Sequence, residues 1–316
     1  MPETVYFLGA GASQEAGIPT QKELWDRVLT RWEKTGDENI KEVLDFAVYL
    51  NFGESIRSVQ VDFAEFLTLI DLALEQNVSL GKFDVGRLRK IRYDTIKSIC
   101  QILENSVEHW KKEKLLSFCQ RLAPSDPIIS LNYDTMMDGL INETIGAVSY
   151  GFHLTPLSQE DTNPQGQLIL KPHGSLNWHY CGRCNSVFLS SLRTDGGNFS
   201  DRLKCLNDGN FLEQVLVTPS YEKKFLVPQL HEVWYQCFCR LKEATRIFFI
   251  GYSFPPGDIH LIYLIKRAVL AGGKKPEINI VARDSYGTVH CRCRHIFAKF
   301  NYFNMSFSDF LQSGLH

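Results

Sequence analysis

The sequence lacks a dominant charge. Its 316 residues set 34 Lys and Arg against 36 Asp and Glu, a formal net charge of -2, so no global field draws the chain toward nucleic acid or an anionic membrane. That argues against direct nucleic-acid binding. A long apolar run is also missing: the longest, such as Arg246-Ile-Phe-Phe-Ile-Gly251, are strand-sized and fall short of the roughly 20 residues of a helical span. No membrane segment is expected. The basic start and small-residue cleavage site of a secretory signal are absent, because the first apolar run feeds straight into a glycine turn; a cytoplasmic protein is expected. Cysteine is present without the even count of a disulfide framework. There are nine, several in apolar surroundings (Cys100, Cys119, Cys237 and Cys239), as buried thiols in a reducing compartment would be. With no repeat, low-complexity tract or flexible linker, residues 1–316 are expected to form one cooperative unit with two insertions.

What the chain does contain is an alternation. Apolar strand-like runs occur at 5–8, 127–131, 167–170, 214–217, 246–250 and 277–281, and helical patterns at 21–32, 232–243, 259–270 and 285–298 separate most of them. The expected fold is α/β, a doubly wound parallel sheet with its ligand crevice at the strand C-termini. Between residues 37 and 120 strand signals vanish and amphipathic stretches take over, which predicts a helical insertion. Residues 177–210, rich in Gly, Ser, Asn and Asp and carrying Cys181 and Cys184, predict a small satellite module.

Four segments begin where an apolar strand ends. In the first, Gly9 and Gly11 allow a tight turn and close backbone approach, and the following helix offers free N–H groups, as a dinucleotide pyrophosphate requires. The turn departs from the dehydrogenase fingerprint. Gln14 stands where a third glycine would be, and no acidic residue closes a second strand about 20 residues on. The second segment is Ser130-Leu-Asn-Tyr-Asp-Thr135, in which Asn132 and Asp134 share one side of an extended chain; Asp134 can equally cap the helix that begins at Met136. Lys171-Pro-His-Gly-Ser-Leu-Asn-Trp178 is the third, placing His173 at the cleft rim with an imidazole that titrates near neutrality. The fourth is Ile250-Gly-Tyr-Ser-Phe-Pro-Pro-Gly-Asp258.

In this order the segments resemble the sirtuin superfamily across nearly the whole chain. The resemblance rests on Gly9-Ala10-Gly11-x-Ser13 followed by Gly17-Ile18-Pro19, on Asn132 and Asp134, on His173-Gly174, and on Gly251 with Ser253. It implies a Rossmann-like NAD site, with the adenosine end near Gly251 and Ser253 and the nicotinamide ribose near Asn132 and His173. Protein deacylases of the family usually carry glutamine before the asparagine and Phe-Arg after the proline; here Leu131, Thr20 and Gln21 stand there. Those departures, with Thr218-Pro-Ser-Tyr-Glu-Lys-Lys-Phe225 and the Asn-Trp after His-Gly, resemble the bacterial sirtuin-like branch that hydrolyses NAD. That branch implies an NAD+ glycohydrolase acting in anti-phage defence, as a homo-oligomer or beside a separately encoded sensor subunit.

The roles implied are proton acceptance by His173 as water attacks C1′, ordering of water or a ribose hydroxyl by Asn132, and stabilisation of the oxocarbenium ion or the carboxamide by Asp134. Two alternatives stand beside this reading. An NAD-dependent protein deacylase would release nicotinamide only with an acylated peptide, and a non-catalytic NAD or ADP-ribose sensor would have no need of His173. Deacylases of the family also carry a zinc module after His-Gly. Here only Cys181, Cys184 and Cys205 are evident, with His179 a poorly spaced fourth ligand. A metal-free module is expected, with zinc the lesser alternative.

Overall fold

The computed structural model describes residues 4–14, 16–107, 113–157, 166–190, 203–221, 223 and 227–314. Among the described residues eleven strands are formed: β1 (Thr4–Leu8), β2 (Ile128–Ser130), β3 (Val148–Ser149), β4 (Thr155–Pro156), β5 (Gln167–Leu170), β6 (Gly174–Tyr180), β7 (Val187–Leu189), β8 (Glu213–Leu216), β9 (Arg246–Ile250), β10 (Glu277–Val281) and β11 (Asn301–Phe303). The helices among the described residues are α1 (Ala10–Gln14), α2 (Gln21–Thr35), α3 (Glu38–Leu50), α4 (Phe63–Glu75), α5 (Val85–Val107), α6 (Glu113–Cys119), α7 (Met136–Ile145), α8 (Gln229–Glu243), α9 (Ile259–Ala271), α10 (Thr288–Ile296) and α11 (Phe307–Ser313).

Seven strands make one sheet in the order β11-β10-β9-β1-β2-β5-β3, and every pairing in it is parallel. Parallel strands need both faces covered, which is why β1 is buried along its whole length and β9 reads Arg-Ile-Phe-Phe-Ile. The aromatic rings of neighbouring strands meet directly, with Tyr6 stacked 5.7 Å from Phe248 and Phe7 5.1 Å from Phe249. From β1 the chain runs outward to β2, β5 and β3 on one side and to β9, β10 and β11 on the other. The reversal at β1 places a ligand crevice at the C-terminal ends of β9, β1, β2 and β5.

Helices α3 to α6 fill the interval where strand signals fade. The starts of α3 and α4 are set by acidic caps: Asp37 Oδ1 accepts from the Asn39 N–H at 2.9 Å, and Asp62 Oδ1 from the Ala64 N–H at 2.7 Å. Phe63, Phe66, Leu67 and Ile70 of α4 are buried, and Phe46 meets Phe66 and Phe83 edge-on at 5.5 and 4.8 Å. These apolar positions build the core of the helical region.

A second sheet, ordered β4-β7-β6-β8, is mixed: β4 pairs parallel with β7, and β6 pairs antiparallel with both β7 and β8. Two expectations change here. The 214–217 run forms a strand, but it joins the small sheet, because β8 pairs with β6 rather than with a strand of the large sheet. The small sheet also starts upstream of residue 177 and extends past 210, since β6 begins at Gly174 directly after His173. Strands β3 and β11 have no counterpart in the apolar pattern; one is two residues long, and the other is Asn-Tyr-Phe at a partly exposed edge.

Candidate active site

The loops after β9, β1, β2 and β5 emerge on one edge of the sheet because those four strands are adjacent and parallel. Gly9, Gly11 and Gly251 lock the first two loops together. The Gly9 N–H donates to the Ile250 carbonyl and the Gly11 N–H to the Gly251 carbonyl, each at 2.9 Å. A Cβ on Gly9 would lie 2.7 Å from the Gly251 carbonyl oxygen, and one on Gly251, whose φ is +63°, would lie 2.2 Å from the Ala12 nitrogen. Glycine is required at this crossing for loop-to-loop contact, and the Gly9 and Gly11 N–H groups are engaged within the protein. The helix after the turn, α1, spans five residues. Ala10 is exposed. Gly17 adopts φ +93° with open space where a Cβ would stand, while Ile18 and Pro19 are buried and fix the entry to α2. Ser253 exposes its side chain, and its carbonyl accepts from Arg292 Nη1 at 3.1 Å.

Ser13 ties this turn to the next loop. Asn132 Nδ2 donates to the Ser13 hydroxyl at 2.8 Å and to the Gly9 carbonyl at 3.0 Å, and Ser13 in turn hydrogen-bonds the Asp134 carboxyl. The amide nitrogen of Asn132 is thereby committed, leaving its oxygen as the atom that can accept from a ligand. Asp134 Oδ1 also accepts from the Met136 N–H at 3.1 Å, so it caps α7 while facing Ser13. Burial pushes the Asp134 carboxyl above its ordinary value, against the opposing pull of Lys171 and the Met136 N–H.

His173 departs from two expectations. It is not at the rim: 6% of its surface is exposed. Nor does it titrate near neutrality, because burial, and after it the Lys223 ammonium, pushes its pKa down to about 3. The enclosure goes with Gly174, whose φ of +83° turns the chain so tightly against β8 that a Cβ would stand 2.0 Å from the Val215 carbonyl oxygen. The Val217 N–H then donates to the His173 carbonyl at 2.8 Å. The ring hydrogen-bonds the Leu131 backbone, while Nε2 is buried without a protein partner. A neutral imidazole that donates from Nδ1 to a carbonyl presents Nε2 as a bare acceptor.

Beneath these groups lies a layer to which the sequence pattern assigned no role. Lys171, fully buried, donates to the Asp134 carbonyl at 2.7 Å and pairs with Asp138 Oδ2 at 3.3 Å. Asp138 Oδ1 accepts from the Tyr150 hydroxyl at 2.8 Å. The signal available in advance was a lysine in an otherwise apolar strand end, Leu170-Lys171-Pro172. Lys223 and Asp258, both inside segments singled out by pattern, were likewise without a role; they act electrostatically on His173.

In the small sheet, Cys181, Cys184, Cys205 and Asp208 converge, with one ligand atom from each lying within 4.8 Å of the others. The Cys184 and Cys205 sulfurs are 3.5 Å apart, and Cys181 Sγ lies 3.5 Å from Asp208 Oδ2. Tetrahedral Zn2+ bonds of about 2.3 Å to sulfur and about 2.0 Å to oxygen imply donor separations of about 3.5–3.8 Å, so this donor set fits the ion. The Ser186 hydroxyl and then the Asn207 amide lower the Cys184 thiol to about 6, while burial pushes its neighbour Cys205 up to about 12. His179, the conceivable fourth ligand, instead pairs its Nε2 with the Ser190 hydroxyl at 3.1 Å. The missing ligand was Asp208, in a Leu-Asn-Asp-Gly stretch that reads as an ordinary turn.

No helix among the described residues is long and apolar enough to cross a membrane. A family model described as SIR2-like domain matches residues 126–294, over half of the chain. Among solved structures, the chain is similar to Sir2Tm bound to a propionylated peptide, at 14% identity over 98% of this chain and 91% of that one, with a TM-score of 0.47. It is similar at 13% identity to a Sir2–p53 peptide–NAD+ complex, with the same coverage and TM-score. A third, described as the structural basis for the mechanism and regulation of Sir2 enzymes, is 15% identical over 98% of this chain and 89% of that one, with a TM-score of 0.46. No curated protein sequence matches.

Proposed function

The chain belongs to the SIR2-like domain family, and from that premise we propose that it is an NAD+ glycohydrolase, cleaving the nicotinamide–ribose bond to give nicotinamide and ADP-ribose. The observation that carries the reading is the buried, unpartnered Nε2 of His173, on the loop beside Asn132 and Asp134. A protein that merely bound the dinucleotide would gain nothing from an orphaned buried acceptor, which costs about 1–3 kcal/mol to leave unpaired.

NAD+ would lie across the strand ends with its adenosine portion toward Gly251 and Ser253 and its nicotinamide ribose toward Asn132 and His173. Nicotinamide leaves readily because it sheds a positive charge as it departs, so the protein has mainly to stabilise an oxocarbenium ion and admit one water. The Asn132 amide oxygen orders that water or a ribose hydroxyl. His173 Nε2 accepts the proton released as the water oxygen bonds C1′. Because its proton affinity is low, His173 stays unprotonated far below neutral pH. It is a weak base, matched to a step in which the electrophile needs little help. Asp134, pushed toward its neutral form, suits the carboxamide better than the cation. Cys181, Cys184, Cys205 and Asp208 would hold one Zn2+ with a structural role, fixing the chain beyond the far end of β6, the strand that begins at Gly174.

Draining cellular NAD is the use that the resemblance implies for such an activity, with a second copy or a sensor subunit controlling it. The experiment is nicotinamide release from NAD+ by the purified chain, with and without an acetyl-lysine peptide. Release independent of peptide is expected. Release only with peptide would replace this reading with a protein deacylase, and tight NAD+ binding without release would replace it with a sensor.

A further inference from the structure

His173 sits in a tight turn whose first residue is Lys171. The Gly174 N–H donates to the Lys171 carbonyl at 2.9 Å, and Pro172 and Gly174 occupy the second and fourth positions, where such turns favour those residues. The Lys171 side chain is fully buried in the layer beneath the site. Its Nζ donates to the Asp134 carbonyl at 2.7 Å and lies 3.3 Å from Asp138 Oδ2. An enclosed ion pair is a poor source of stability, since desolvation offsets most of its attraction and apolar side chains of similar volume usually serve a core as well. The charge calls for another reason.

A chain of hydrogen bonds fixes where the ammonium stands. Asp138 Oδ1 accepts from the Tyr150 hydroxyl at 2.8 Å, Asn177 Nδ2 donates to the same hydroxyl at 3.4 Å, and the Ser175 hydroxyl donates to Asn177 Oδ1 at 2.6 Å. All of these residues are buried, and a connected buried network rigidifies the elements that it joins. What it joins here are the two segments of the site, for residues 131–134 meet the His173 turn and the start of β6 at three points. Lys171 Nζ is on the Asp134 carbonyl, the Leu176 N–H donates to the Tyr133 carbonyl at 2.9 Å, and the imidazole hydrogen-bonds the Leu131 backbone. The Leu131 N–H is already engaged by the Leu8 carbonyl at 2.9 Å, so the ring donates to the Leu131 carbonyl. Because Nε2 has no protein partner, the donor is Nδ1.

Resting on the reading of His173 Nε2 as the proton acceptor, we propose that Lys171 is a positioning residue for His173: its ammonium, seated on Asp138, pins the Asp134 carbonyl so that the Leu131 carbonyl stays on Nδ1 and Nε2 stays bare. Without the tether the 131–134 loop can draw away from the ring. An imidazole freed from Leu131 distributes its proton over both nitrogens, and a ring protonated on Nε2 takes no proton from water.

The test reads the tautomer directly, by long-range 1H–15N NMR of the labelled full chain at neutral pH, with the His173 ring assigned by its loss in His173→Ala. The wild type should show one ring state, protonated on Nδ1. Lys171→Met/Asp138→Asn removes both charges, so that neither is left unpaired, and keeps an acceptor for Tyr150. In that variant the chain should stay folded while the ring becomes a mixture of tautomers, and kcat for nicotinamide release should fall about 10²-fold with KM within about twofold. Should the double variant not fold, Asp138→Asn, which loosens the seat of the ammonium, should show the same mixture in smaller proportion. Tyr150→Phe weakens the network but leaves the Lys171 tether, so it should lower Tm and preserve both ring state and kcat. A wild-type ring protonated on Nε2, an unchanged single state in the folded double variant, or Tyr150→Phe acting like the double variant overturns the proposal. Because the tautomer is read without turnover, the outcomes separate: a ring state that depends on Lys171 without NAD+ cleavage retires the hydrolase and keeps the tether, whereas cleavage with an unchanged ring does the reverse.

Discussion

The two sides of the cleft use their polar atoms in opposite ways. On the Gly9 side the groups are spent on each other: Gly9 and Gly11 N–H on the Ile250 and Gly251 carbonyls at the end of β9, and Asn132 Nδ2 on Ser13 and Gly9. On the His173 side an acceptor is left buried and unmatched. The first pattern makes a rigid floor against which a dinucleotide can lie, and the second stores a reactive group at a cost in stability. The glycines of the opening motif are thus first a packing device. Under the proposed function, the chemistry falls to the loop that looks less distinctive in sequence.

Changes that erase the difference between the two sides should have the largest effects. Gly174→Ala must leave φ +83° and clear a backbone oxygen 2.0 Å away, so a loss of about 3–5 kcal/mol is expected, measurable by denaturant unfolding. His173→Ala should cut nicotinamide release by about 10²–10⁴-fold while NAD+ affinity, measured by calorimetry, changes little. Cys181→Ser tests the scaffold behind that side: the wild-type chain should carry about one zinc by elemental analysis, and the variant should lose it with a fall in Tm of about 5–10 °C. Ser13→Ala, on the stitched side, should cost about 1–3 kcal/mol by removing the partner shared by Asn132 and Asp134. If Ser13→Ala proved as damaging to turnover as His173→Ala at full stability, the distinction between floor and reactive side would fail.

Much of this was legible in sequence for a physical reason. Strands buried on both faces read as unbroken apolar runs, and the loops that follow adjacent parallel strands must share an edge, so Gly9, Asn132, His173 and Gly251 could be brought together from pattern alone. What escaped depends on contacts between distant segments. The low proton affinity of His173 comes from enclosure by β8 and from Lys223, and no local spacing announces either. Asp208 was hidden because a carboxylate in a turn looks like turn chemistry until three sulfurs surround it. The membership of β8 in the small sheet, and the existence of β3 and β11, hinge on short pairings whose residues carry little hydrophobic signal.

The most direct test of the account is nicotinamide release from NAD+ measured between pH 5 and 8 for the wild-type chain and for His173→Ala. A base whose pKa is lowered to about 3 is fully deprotonated above about pH 5 and loses function only as pH falls toward that value. The account therefore predicts kcat/KM that stays flat across the range and collapses in the variant. An acid limb centred near the ordinary histidine value of about 6.5, or a variant that turns over as fast as the wild type, would contradict it.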